Sequence, residues 1–368
     1  MLPAVMFLVS FAWSLVYVAL PFHIEHISPV GPAATLAWTG WILGVTSLAS
    51  VVSTPVWSRY AARGDPKAAC VWVQALHGLG FLATGLAGSL LELFLARLAL
   101  GVIGSASTFA FILAGRTRDP VELRRRLGAV QSAMMVGQVI GPLPGAVVAA
   151  RLGFRPTFFL GGLILAGCAG LMQWGMPRPA EPAGVTAAAR RLPMRYFGVA
   201  ATLVLVASTQ ESFLGAVLPR VLPGLGVTPE HTVEVGGMLL FVSGVAAALG
   251  GLAAPYLAEQ VSERRLLPML LAGSSVVLVS FGAVGSLWGF TVLRVLQSLA
   301  IAPLFPLVVA RVARLGGGDA IGIVNAARVG AYFVAAVFAT SILTWAPPAV
   351  LYLLLGVAGL ASVLLLRR

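Results

Sequence analysis

Apolar residues in this chain do not alternate with polar ones. They run on for about twenty positions at a time, and polar residues gather in short breaks between the runs. Twenty residues of helix, at 1.5 Å rise each, cross the roughly 30 Å hydrocarbon core of a bilayer. Twelve such runs can be marked, at 3–22, 35–57, 68–88, 92–114, 127–150, 156–176, 196–219, 233–257, 266–286, 288–310, 320–344 and 347–366. The pattern predicts an all-α membrane protein of twelve transmembrane helices. The opening run, MLPAVMFLVSFAWSLVYVALPF, lacks a basic leading segment and reads as the first span rather than as a cleaved signal.

Composition agrees with the pattern. The 368 residues are 59% hydrophobic and 10% charged, with a mean hydropathy of +0.97. Ordinary soluble domains carry about 25% charged residues, and the loops leave no room for a separate soluble domain. The net charge of +12 does not point to nucleic acid, because the basic residues are spread one loop at a time rather than over one face. Their distribution sets the topology instead. Eighteen of the 24 lie in loops following even-numbered spans or at the C-terminus, and Arg151, Arg155 and Arg220 lie on the other side. Positive charge marks the cytoplasmic face, so both termini are expected in the cytoplasm, in a multi-pass protein of the inner (plasma) membrane. The lipid bilayer and a small-molecule substrate are the expected partners, and a monomer is expected. Cys70 and Cys168 fall in apolar runs and read as packing residues.

The chain also repeats itself. VALPF (Val18 to Phe22) closes the first run and AVLPR (Ala216 to Arg220) closes the seventh, 198 residues later. Pro55 and Pro255 stand 200 apart, and Arg97 in LFLARLALG and Arg294 in FTVLRVLQS stand 197 apart. Two six-helix halves follow, expected at 1–176 and 196–368. A linker rich in Pro, Ala and Arg joins them at 177–195. Duplicated halves that rock about a shared site are a recurring transporter design.

The fifth run contains GQVIGPLPGA, residues 137–146, with three glycines and two prolines. Gly137, Gly141 and Gly145 at four-residue spacing line one helix face and admit a second backbone, and Pro142 is expected to bend the helix. The partner is expected from the second half, where GVAAALGGLAAP (Gly244 to Pro255) carries the small residues required. Together with the six-plus-six repeat, this stretch resembles the major facilitator superfamily, whose antiporter motif reads G-x-x-x-G-P-x-x-G-G; Ala146 stands at its last place. The resemblance covers essentially the whole chain and implies two pseudo-symmetric six-helix bundles and proton-coupled export. The family's loop motif G-x-x-x-D-R-x-G-R-K aligns with Ser58, Ala62, Arg63 and Lys67. Its aspartate is replaced by Ala62, which removes a group that latches the loop, and Asp65 is the candidate substitute. Arg97 with Gly101 fits the family's R-x-x-x-G, which implies a part in proton transfer for Arg97.

Within the spans Glu211 is the one deep acid. No basic residue lies within a helical turn of it, so its carboxyl takes a partner from another helix or carries a proton. It is the expected proton-coupling group, with Arg97, and with Glu25 and His23 from the cluster HIEHIS as further candidates. His23 and His26 share a face if the helix continues, although a solvated loop is the simpler reading there. His77 reads as a packing residue. Arg328, beside Asn325 in the eleventh run, is placed to pair with Glu211 or with an anionic substrate. Trp13, Tyr17, Gln138 and Gln210 complete the candidate substrate-binding set, Trp13 and Tyr17 as lining for an apolar compound. Too few ligands cluster for a metal. No phosphate loop is present and Lys67 is the sole lysine, so no cofactor is expected beyond a proton gradient as driving force.

The sequence therefore reads as a secondary active transporter working by alternating access, most simply a proton-coupled exporter of a small amphipathic or hydrophobic compound. A facilitator or importer of a polar or anionic metabolite is the alternative. An intramembrane enzyme would require a catalytic constellation at one membrane face, and apart from the small His23–His26 cluster none is visible.

Overall fold

The structure, a computed structural model, describes residues 1–63, 65–104, 106–115, 119–176 and 194–365. Among these residues all regular structure is helical: α1 (Leu2–Ile27), α2 (Pro32–Arg63), α3 (Pro66–Leu86), α4 (Leu90–Val102), α5 (Ala106–Ala114), α6 (Pro120–Ile140), α7 (Pro142–Leu152), α8 (Phe154–Gly175), α9 (Met194–Val221), α10 (Thr232–Gln260), α11 (Glu263–Ser280), α12 (Leu287–Ile301), α13 (Leu304–Leu343) and α14 (Pro348–Leu365). Among the described residues eleven stretches are long and apolar enough to cross a membrane, and Pro348–Leu364 is a shorter apolar helix after them. Side chains in contact with lipid need no partner, whereas every backbone group inside a bilayer does, and helices meet that demand within themselves.

Helix starts are capped as the sequence allows. Asp65 accepts a hydrogen bond from Lys67 N at 2.9 Å, Asp119 from Val121 N at 3.0 Å and Ser89 from Glu92 N at 3.2 Å. Glu92 in turn accepts from Gly88 N at 2.8 Å, a reciprocal cap that satisfies two otherwise orphaned donors.

Three predicted spans differ in detail. The fourth is broken between α4 and α5, where Gly104 takes φ +93°, a conformation costly for any residue with a Cβ. The fifth is divided at Gly141 but keeps its register, because Gly141 has helical dihedrals and Gly141 N still donates to Gly137 O at 3.0 Å. The turn expected near 311–319 is absent: α13 runs unbroken from Leu304 to Leu343, and the break falls earlier, at Ala302–Pro303.

The helices sort into two compact units. One comprises Met1–Pro29, Val45–Val185 and Val233–Phe241; the other comprises Val30–Gly44, Thr186–Thr232 and Val242–Arg368. The units thus depart from a division of the chain at its middle, since α2 and α10 each contribute to both. The expected linker falls mostly on residues 177–193, outside the described residues.

Candidate functional site

In the first unit the glycines of the fifth span lie against α1. A Cβ on Gly141 would stand 2.8 Å from Phe11 O and 3.0 Å from Leu15 N, and one on Gly145 would stand 2.8 Å from Leu15 Cα. Gly137 is as tight against Phe7 and Phe11. The expected partner in the second half of the chain is therefore replaced by α1, through Phe7, Ser10, Phe11, Ser14 and Leu15. Residues 244–255 pack elsewhere: a Cβ on Gly250 would meet Leu299 of α12. The second half does reach α7, but at Gly237, which lies against Pro142 O and Ala146.

Ser14 explains how the span tolerates its proline. Pro142 has no N–H to give to the carbonyl four residues back, which is that of Gln138. Ser14 Oγ donates to that carbonyl at 2.7 Å, so a neighbouring helix supplies the missing bond. Gln138 itself is exposed, and its backbone is what α1 holds.

Arg97 of α4 is 3% exposed. Its guanidinium lies 5.5 Å from the centre of the Trp13 ring. Trp13 in turn meets His77 (5.2 Å) and Phe81 (4.9 Å) edge-on, and the field of half-buried Tyr17 reaches Arg97. Arg97 Nε and Nη1 have no hydrogen-bond partner. His77 is less satisfied than a plain packing residue: Nε2 lies 3.3 Å from Leu100 O and Nδ1 has no partner. A face of α2 stitches α4 in place through its carbonyls. Thr46 Oγ1 donates to Arg97 O at 2.9 Å, Ser53 Oγ to Gly101 O at 2.9 Å and Trp57 Nε1 to Val102 O at 2.8 Å. Gly101 permits this approach, since a Cβ there would meet Thr46 and Ala49.

In the second unit Glu211 is exposed, although Gln210, Phe213 and Leu214 around it are buried. Its carboxylate thus borders open space midway along a span. No hydrogen bond or ion pair to it forms among the described residues, so the expected pair with Arg328 is not closed. Arg294 and Arg328 are the cations whose fields reach it, and Tyr332 lies within the fields of both Glu211 and Arg328. Asn325, Arg328 and Tyr332 follow one another at helical spacing along α13. Arg328 stacks over Phe305 at 4.7 Å and leaves Nε without a partner.

Arg294 is held differently from Arg97. It donates to the backbone carbonyls of Gln210 and Glu211, to Gln297 Oε1 and to Ser243 Oγ. Gln210 is fully buried, donating to Ser275 Oγ at 3.0 Å and Leu355 O at 2.9 Å and accepting from Ser274 Oγ at 3.2 Å. Every polar atom of its amide is engaged, which corrects its place in the substrate-binding set: Gln210 braces α9 against α11 and α14. Gln297, Ser243, Tyr332 and Phe305 were not singled out from the sequence. The repeat contained the signal for one of them, Ser243, because GWILGVT (Gly40 to Thr46) and GMLLFVS (Gly237 to Ser243) align at the arginines' own offset of 197.

At its C-terminal end α1 continues as helix to Ile27, so HIEHIS is not a solvated loop. His23 is 2% exposed, packed on Phe154 and Phe158, and neither ring nitrogen is bonded. His26 and Glu25 are exposed. Among the described residues no three His, Cys, Asp or Glu gather to hold a metal. Lys67 is buried and donates to the carbonyls of Gln173 (2.9 Å) and Met176. It thereby caps the C-terminal end of α8, where a cation also meets the negative end of the helix dipole. Asp65 is occupied by its own helix start. The side chains of Ser58, Ala62 and Arg63 lie outside the described residues.

A duplicated set of apolar helices, an intramembrane arginine in each half and an open carboxylate in one define a membrane transporter rather than an enzyme. The sequence pattern of the Major Facilitator Superfamily matches residues 4–222, and the chain belongs to that superfamily. It is 25% identical over 311 residues to the multidrug resistance protein MdtG of Citrobacter koseri (82% of this chain, 76% of the relative). To the MdtG of Salmonella choleraesuis it is 26% identical over 318 residues, at the same coverage. Its fold matches a bacterial homolog of the human lysosomal transporter Spinster in an inward-facing, occupied conformation (TM-score 0.74, 15% identity, 100% and 93% covered). It also matches a D-xylose–proton symporter (TM-score 0.75, 14% identity, 100% and 96% covered).

Proposed function

We propose that this transporter exports a small amphipathic or hydrophobic compound in exchange for protons, by alternating access, and that Glu211 carries the proton. The observation behind this reading is the Glu211 carboxylate, exposed within a span and unpaired, with two cations near enough to respond to its charge. A carboxylate so placed can load a proton from open space, and its charge state changes the balance among Glu211, Arg294 and Arg328. The antiporter motif on the fifth span and the multidrug resistance proteins among the relatives support export. The unpaired Nε of Arg328 favours a second reading, in which an anionic metabolite is the cargo.

The test is pH-gradient-driven uptake of a fluorescent amphipathic dye into inverted vesicles, wild type beside Glu211→Gln. The variant mimics the protonated acid. It is expected to lose gradient-driven uptake and to keep dye binding, because the shape of the site is nearly unchanged. Unchanged gradient dependence in the variant removes Glu211 from the mechanism and moves attention to Glu25, His23 and His26.

A further inference from the structure

The two halves use the same arginine position in opposite ways. Arg294 has four acceptors within the second unit and the Glu211 charge beside it. At the matching places of the first half the Gln297 amide and the Glu211 carboxylate are gone. Leu100 stands where Gln297 is, 197 residues away, and Trp13 stands where Glu211 is, 198 residues away. Thr46 keeps the hydroxyl of Ser243 but turns it to the Arg97 carbonyl. The acids of this half's helix ends are otherwise employed. Asp65 and Asp119 cap helix starts, Glu92 closes a cap, and Glu122 pairs with Arg125 and Arg126 at 2.8 and 2.7 Å. A guanidinium withdrawn from water with two donors unspent is costly until an acceptor arrives. Among the described residues no protein group supplies one to Nε or Nη1.

We infer that Arg97 is a binding site for a monovalent anion, taken up as chloride or as the carboxylate of an organic molecule. A planar guanidinium grips a carboxylate with two parallel bonds from adjacent N–H groups, and Arg97 has N–H groups without a partner at both Nε and Nη1. The Trp13 ring beneath it gives an apolar floor for the rest of an organic anion, and half-buried Trp13, Ser14 and Tyr17 mark the open side. The site lies wholly within the first unit and does not depend on which way protons move or on Glu211.

The experiment is thermal unfolding of the purified full-length protein, titrated separately with sodium chloride and sodium benzoate at ionic strength held by isethionate. A ligand that binds only the folded state raises its melting temperature in a saturable way. The expected result is a saturable rise with at least one of the two anions, lost in Arg97→Gln and kept in Arg151→Gln, a helix-end control. A rise with chloride alone identifies an inorganic ion, and a rise with benzoate identifies an organic carboxylate. If Arg97→Gln does not fold, Arg97→Lys replaces it. Lysine keeps the charge but not the fork, and the half-saturating concentration should rise about tenfold, the equivalent of one lost charged hydrogen bond. No saturable rise in the wild type, or an unchanged one in the Arg97 variants, overturns the inference.

Discussion

Ser14 shows how much one hydroxyl can do in a chain poor in polar groups. It stands in for the N–H that Pro142 lacks, and replacing it leaves the Gln138 carbonyl unpaired. Ser14→Ala is expected to cost about 1 kcal/mol, in line with hydrogen bonds between membrane helices. Adding Pro142→Ala restores an N–H four residues from Gln138 and should recover most of the loss. Thermal unfolding of the two single variants and the double variant measures this coupling; additive losses would show that Ser14 does not serve that carbonyl. The sequence shows the proline and therefore that a carbonyl is orphaned, but not which helix answers it, since that depends on how two helices lie together. The same holds for Gln210. Its burial among Ser274, Ser275 and Leu355 comes from residues 64 to 145 positions away, which no local pattern reports. Glu211 was legible because a lone acid in an apolar run is conspicuous whatever surrounds it.

At the scale of the element, the fifth span is where prediction and structure differ most usefully. Its glycine ridge was legible from spacing, since residues four apart share a helix face. Its partner was not, because small residues occur on many faces of a membrane bundle and spacing alone cannot choose among them. The structure chooses α1, whose Phe11 and Leu15 backbones lie at contact distance from any added Cβ. Gly141→Leu should therefore force α1 and the fifth span apart and reduce transport by tenfold or so. Membrane insertion should persist, because leucine is at least as apolar as the residue it replaces. Dye efflux from cells, normalised to the amount of protein in the membrane fraction, separates the two effects; full efflux at normal abundance would mean that the close approach is dispensable. The breaks after α4 and α12 were missed because each falls inside an uninterrupted apolar run, where hydrophobic length gives no hint of a local turn.

Across the whole molecule, the arrangement of charge gives the most direct test of topology. With eighteen basic residues assigned to one face, a cysteine introduced at Ala62 should react with an impermeant thiol reagent only from the cytoplasmic side. A cysteine at Ser28 should react only from outside. The test is made on a background with Cys70 and Cys168 replaced by serine, although both are buried thiols. Reaction of both positions from one side would show that the span count is wrong by one. The duplication was legible at this scale because an arginine, a proline and a short apolar phrase recur at nearly constant offset. Its consequence for assembly was not, because the units do not follow the order of the chain. Val30–Gly44 belongs with most of the second half, and Val233–Phe241 belongs with most of the first. A chain severed within 177–193 therefore yields two fragments, neither of which contains a whole unit. Each fragment would lack a short segment that packs with it in the whole protein, so the halves are expected to be less stable when produced apart.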